Sequence, residues 1–113
     1  MKNSVTATPY FVARFKKFKK KFPSLSQELA GLETALIDNP NLGTNLGANI
    51  FKIRLASKSK GAGKSGGFRI ITFLLKESEK GYEIFLLTIY EKSEESNISK
   101  DLLQLLVRKI FTR

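Results

Sequence analysis

The sequence predicts an α+β domain with elements in the order β-α-α-β-β-β-α, an antiparallel-rich sheet packed against an N-terminal helical hairpin and followed by a C-terminal helix. Three observations carry this. Phe11, Phe15, Phe18 and Phe22, and then Leu25, Leu29, Leu32 and Leu36, recur at steps of four, three and four, the spacing of one helix face. Three β-prone runs come next, at 51–55, 66–75 and 82–90, with connections short enough for a meander. A last amphipathic run, Leu102, Leu103, Leu106 and Ile110, marks a terminal helix. At 113 residues, 42% of them hydrophobic, the chain has material for one core, so residues 1–113 read as a single domain.

Taken in order, residues 5–8 are β-prone and Pro9 interrupts them, which suits an edge strand or a strand ended by the proline. From Tyr10 the period becomes helical. Between the phenylalanines lie Arg14, Lys16, Lys17, Lys19, Lys20 and Lys21, six cations in eight residues. Such a face is either simply solvated or turned toward polyphosphate, and its charge exceeds what solubility requires. A basic amphipathic helix can also lie on a membrane, but this apolar face has a competing use in packing on the sheet. Ser24 and Gln27 form a capping-box pattern for the second helix, and Asp38-Asn39-Pro40 ends it. Residues 41–49 read as a Gly/Asn loop.

Phe51-Lys52-Ile53-Arg54-Leu55 alternates apolar and basic residues, so Lys52 and Arg54 share one strand face and the apolar residues the other. A Ser/Lys/Gly loop bearing Lys58, Lys60 and Lys64 leads into a nearly all-apolar strand that carries Arg69. After a polar turn at 77–81, the run Ile84-Phe85-Leu86-Leu87-Thr88-Ile89 is apolar on both faces, as a covered central strand requires. Residues 91–97 are a charged loop. Ser99 then suits an N-cap, with Asp101 in the first turn.

Lys and Arg number 20 against 10 Asp and Glu, a net charge of +10. That balance attracts polyanions, with nucleic acid the leading partner class. Without cysteine or histidine, disulfides, zinc sites of the usual ligands and histidine acid–base chemistry are excluded. No metal or other cofactor is expected. The N-terminus lacks an apolar signal region and no run reaches the length of a membrane span, so the chain reads as cytoplasmic.

Gly61-Ala62-Gly63-Lys64-Ser65 contains Gly-Lys-Ser, but a P-loop needs a glycine where Lys58 stands and a helix where a β-prone run continues. The stronger constellation is cationic: Lys52, Arg54, Lys58, Lys60, Lys64, Arg69 and Lys92. Such a cluster can clamp a phosphodiester and stabilise charge building on it. A lysine crowded by cations can accept a proton, and RNA brings its own 2′-hydroxyl nucleophile. Tyr90 offers a ring for base stacking or a hydroxyl for proton transfer. On these residues alone, catalysis and passive nucleic-acid binding stand level.

The segments Phe51-Lys52-Ile53-Arg54-Leu55-Ala56-Ser57-Lys58, Gly63-Lys64-Ser65-Gly66-Gly67-Phe68-Arg69-Ile70-Ile71 and Leu86-Leu87-Thr88-Ile89-Tyr90-Glu91-Lys92-Ser93-Glu94 resemble the RelE/ParE toxin superfamily, in particular its HigB-like members. The resemblance covers roughly the second half of the chain. It implies a RelE-like fold and the toxin of a type II toxin–antitoxin pair: a metal-independent, ribosome-dependent mRNA endoribonuclease that halts translation by 2′-hydroxyl attack, leaving a 2′,3′-cyclic phosphate.

By that resemblance, Arg54 and Arg69 hold the scissile phosphate, while Lys64 or Lys92 serves in proton transfer, with Tyr90 or Lys92 standing in for the family's C-terminal tyrosine. That tyrosine has no match here, its region being Asn97-Ile98. Lys52, Lys58 and Lys60 bind neighbouring phosphates, and Arg14, Lys16, Lys17, Lys19, Lys20 and Lys21 face ribosomal RNA. The implied partners are a ribosome with mRNA and a cognate antitoxin, a small helix-turn-helix protein of the HigA kind, with no membrane. Two rival readings are a ParE-like inhibitor of DNA gyrase and a non-catalytic RNA-binding module.

Overall fold

A computed structural model describes residues 2–60, 67–77 and 81–112. Within them the order is β1 (Ser4–Ala7), α1 (Pro9–Lys21), α2 (Leu25–Asp38), β2 (Thr44–Gly47), β3 (Ile50–Leu55), β4 (Phe68–Glu77), β5 (Gly81–Glu91), a 3-10 turn (Lys92–Asn97) and α3 (Lys100–Phe111). The strands form one mixed five-stranded sheet in the order β1-β5-β4-β3-β2. The expected α+β class and element order hold, with one strand added. β2 lies inside the stretch expected to be a loop and pairs antiparallel with β3. Its four residues are all exposed, so no apolar pattern announces it. Ala48 and Asn49 take positive φ values of 53° and 62° in the tight turn that joins β2 to β3.

β1 occupies the outer edge, parallel to β5, where its proline-terminated end does no harm. The Thr8 hydroxyl then caps α1 by accepting from the Phe11 amide at 3.3 Å, with Pro9 in the first helical position. The helix ends with Lys19, Lys20 and Lys21 in its last turn, favourable to the dipole. The capping box expected of Ser24 is not formed: the Ser24 side chain makes no cap hydrogen bond to its helix. Its hydroxyl instead donates to Glu28 at 3.1 Å and accepts from the Ser59 amide and hydroxyl at 3.1 and 2.7 Å. The Lys58 amide also donates to Glu28, at 2.7 Å. A residue with two distant loop donors in reach satisfies those before its own helix end.

Both faces of the sheet are covered. Phe11, Leu25, Leu32 and Leu36 of the two helices pack on Ile53, Phe68, Ile70, Ile84, Leu86 and Ile89. Phe18 and Phe22 meet the Phe68 ring edge-on, at centroid distances of 5.0 and 5.3 Å. On the opposite face, Leu103 and Leu106 of α3 pack on Ile50, Ile71, Phe73, Phe85, Leu87 and Tyr90. α3 is capped as expected, the Ser99 hydroxyl accepting from the Leu102 amide at 3.1 Å. β5 is buried from Ile84 through Tyr90, the covered central strand that its apolar run implies.

Two local features set the register of the functional face. The β4–β5 pairing slips between Ile71 and Thr72, which face Thr88 and Leu86, so Leu87 is an extra residue. Ile89 therefore stays with Ile84 and Leu86 under the helical hairpin, while Tyr90 joins Phe85 and Leu87 on the α3 side. At the start of β4, a Cβ on Gly67 would lie 2.2 Å from the Leu55 carbonyl oxygen. Only glycine lets the returning chain approach β3 this closely.

Candidate active site

Three of the residues singled out in the sequence form one row across the sheet. Arg54 of β3 is directly opposite Arg69 of β4, and Arg69 is directly opposite Tyr90 of β5. Directly opposed residues share a sheet face, here the one that α3 covers. Lys52, two residues before Arg54, is on the same face and faces Ile71, which faces Thr88. Burial grades along the row: Arg54 is exposed, whereas Arg69 and Tyr90 are 3% and 1% exposed. Like charges directly opposed across a ladder repel, an arrangement that an anion bound over the pair would relieve.

Beside this row is an open cleft of about 350 Å³ between the β2–β3 turn, the end of β5 and the start of α3. Lys52, Tyr90, Glu95, Lys100 and Gln104 supply its polar lining. Burial pushes the Tyr90 hydroxyl up to about 12; the Glu95 carboxylate adds to the shift and the Arg69 guanidinium opposes it. The hydroxyl is thus a neutral donor near pH 7. At 1% exposure the ring is packed in the core, so base stacking on it needs the cleft to open.

Other predicted residues sit elsewhere. Lys60 turns to the opposite face, where it pairs with Glu91 and lies 4.8 and 5.2 Å from the centres of the Phe22 and Phe68 rings. Lys58 is exposed in the loop that Ser24 and Glu28 tie down. Burial works against the Glu28 charge, but the Lys58 amide, Ser57 and Ser24 hydrogen bonds and the Lys58 charge hold its carboxyl below the usual range. Arg14 braces the fold: its Nε donates to the Ile89 carbonyl at 2.7 Å and its Nη2 pairs with Glu94 at 3.0 Å. Glu94 is in turn held below the ordinary carboxylate range, because hydrogen bonds from the Glu91 amide and Arg14 outweigh its burial.

Lys16, Lys17, Lys19, Lys20 and Lys21 are exposed, the first four lining a shallow depression on α1. Lys92 is exposed at the first position of the 3-10 turn. Lys64 and the Gly-Lys-Ser motif lie outside the described residues.

The acidic contributor that sequence reasoning missed is Glu95. Its Oε2 pairs with the Lys52 Nζ at 3.3 Å within the cleft, and it acts on Tyr90. A signal was available: three of the chain's 10 acidic residues, Glu91, Glu94 and Glu95, fall within five positions.

The profile of the family described as the RelE toxin of the RelE/RelB toxin–antitoxin system matches residues 10–110, from the start of α1 to the last turn of α3. The chain belongs to the RelE toxin family. As a RelE-family toxin it is one half of a toxin–antitoxin system, with a cognate antitoxin as its partner. The RelE match takes in the whole row of Arg54, Arg69 and Tyr90 and omits only β1 and the extreme C-terminus. No helix among the described residues of this toxin is long and apolar enough to cross a membrane.

Proposed function

We propose that this RelE-family toxin is a ribosome-dependent mRNA endoribonuclease that stops translation by cutting message in the decoding site. The observation that carries the reading is the row in which Arg54 opposes Arg69 and Arg69 opposes Tyr90. Two arginines at directly opposed positions can together meet the non-bridging oxygens of one phosphodiester, and the neutral tyrosine in the next position of the row is a hydrogen-bond donor. A 2′-oxygen attacks the adjacent phosphorus while the bond from phosphorus to the 5′-oxygen breaks, leaving a 2′,3′-cyclic phosphate and a 5′-hydroxyl. The proton leaves the 2′-hydroxyl for a base and another reaches the departing 5′-oxygen. Arg54 and Arg69 stabilise the extra charge on the phosphorane, an electrostatic role that needs no metal. Tyr90 donates to a phosphate oxygen or the leaving oxygen, and Lys92 or Lys64 exchanges the remaining proton.

Lys52 and the exposed lysines of α1 hold flanking phosphates, the α1 set facing ribosomal RNA. The antitoxin, on the HigB-like assignment, is a small helix-turn-helix protein whose acidic surface is steered to this cation-rich toxin.

The test is expression of the toxin in a translating extract, with primer extension on the message. Cuts that appear only on ribosome-bound message, and vanish in Arg69→Ala and Arg54→Ala, are the expected result. Arg54 is exposed, so its variant separates chemistry from folding. Arrested growth without message cleavage points to the gyrase-inhibitor alternative, and RNA binding without either points to a passive module.

A further inference from the structure

The three ion pairs found among the described residues are Arg14–Glu94, Lys52–Glu95 and Lys60–Glu91. Their cations come from α1, from β3 and from the loop after β3. Their carboxylates all come from the last residue of β5 and the 3-10 turn, within five positions. Two of the three brace the fold. Arg14 also holds the Ile89 carbonyl, and Lys60 is sandwiched against Phe22 and Phe68. The third differs: Lys52 and Glu95 meet inside the cleft, with side chains 28% and 45% exposed, and among the described residues no second side-chain hydrogen bond braces either. An ion pair this open adds little to stability, so a phosphate can exchange with it.

We propose that Glu95 is a specificity-determining residue: an internal anion that occupies Lys52 beside the Arg54–Arg69–Tyr90 row and is displaced when an RNA phosphate enters the cleft. Glu95 sets a threshold. An RNA held loosely gains one cation at Lys52 but must first part it from a carboxylate and lie beside that negative charge. A strand positioned by contacts elsewhere overcomes the threshold, because its local phosphate concentration is high. The proposal rests on the nuclease reading only for the identity of the polyanion.

Binding is measured without chemistry, using the full chain and a short fluorescent 2′-O-methyl oligoribonucleotide, which lacks the nucleophile, over a series of salt concentrations. Glu95→Gln keeps the shape of the side chain and removes its charge. We expect it to bind several-fold tighter than the parent chain, with a salt slope steeper by about 0.7, the value for one more phosphate contact on a single strand. Glu33→Gln changes net charge equally from the surface of α2 and leaves the slope unaltered. In the double variant Lys52→Ala/Glu95→Gln the added slope disappears. Unchanged or weaker binding by Glu95→Gln overturns the proposal, as does an equal gain from Glu33→Gln. Cleavage lost in Glu95→Gln with binding unchanged also overturns it, since that marks a proton acceptor. A tighter Glu95→Gln that accompanies no ribosome-phased cutting by the parent chain upholds the exchange and removes only the nuclease reading.

Discussion

Arg54 and Arg69 stand directly opposite each other in the antiparallel pairing of β3 and β4, two positive charges where a sheet ordinarily places complementary partners. On the nuclease reading, a phosphate bound over the pair would turn that repulsion into affinity, so function and stability would pull in opposite directions at this position.

Replacing Arg54 by threonine, which keeps strand propensity, should stabilise the fold by about 0.2–1 kcal/mol, the range of cross-strand pair energies. The same variant should lose about 100-fold or more in message cleavage, as when one stabilising donor is removed from a charged transition state. Denaturant midpoints and cleavage rates measured on one preparation check both signs. A variant that loses both stability and activity would show that Arg54 is a structural residue.

Tyr90 gives a pH signature. The chain has three tyrosines, and one should ionise late, near pH 12, in an ultraviolet titration of the folded protein. Its folded value lies above the ordinary 10.0, so the unfolded chain loses this proton first as pH rises. The stability tied to the neutral hydroxyl is then fully present below about pH 10 and declines as pH climbs from there through about 12. In Tyr90→Phe the late-titrating group should vanish, and this part of the alkaline decline with it.

Arg14 is predicted to act through the fold. Arg14→Ala should lower stability by about 1–2 kcal/mol, since it removes a charge-assisted bond to the Ile89 carbonyl and the partner of Glu94. Arg14→Lys should recover little, because a single ammonium cannot serve both acceptors as the guanidinium fork does. Urea unfolding of the three proteins decides this; full rescue by lysine would mean that charge alone matters.

Glu28 should control the loop after β3. Its carboxyl is held below the ordinary range, so the stability it supplies is present above the unfolded value near 4.5 and is lost as pH falls through the folded one. Glu28→Gln removes this acid-sensitive part. It also weakens the tie to the Lys58 amide and should speed tryptic cleavage after Lys58 at neutral pH several-fold, in proportion to the opened population. Unchanged digestion would show that Ser24 alone secures the loop.

The helices were readable because the spacing of Phe11 to Phe22 and Leu25 to Leu36 is a local property, unaffected by the surface that the face packs on. The meander was readable for the same reason. β2 was hidden because Thr44, Asn45, Leu46 and Gly47 are all exposed and owe their conformation to pairing with β3. The placement of β1 depends on a parallel partner about 80 residues away, which no local pattern encodes. In the site, Lys52, Arg54 and Arg69 could be assigned to strands from alternation, but their alignment with Tyr90 depends on cross-strand register. Arg14 and Lys60 looked like phosphate ligands because charge is visible in sequence and its partner is not. Glu94 and Glu91 lie 80 and 31 positions from them.

Leu87, the unpaired residue of β5, gives the central strand one residue of slack. Side chains alternate along a strand, so the faces of Thr88 to Tyr90 depend on how many residues separate them from Leu86. Without Leu87, the pairs Leu86–Thr72 and Thr88–Ile71 would become consecutive rungs of a regular ladder, and Tyr90 would still stand opposite Arg69. Loss of Thr88 as well would carry Ile89 to the rung of Ile71 and Tyr90 to the rung of Ile70, turning the tyrosine under the helical hairpin. The bulge is therefore a buffer: the strand absorbs the first lost codon with the row intact, and the second takes the row apart while Arg54, Arg69 and Tyr90 all remain in the gene.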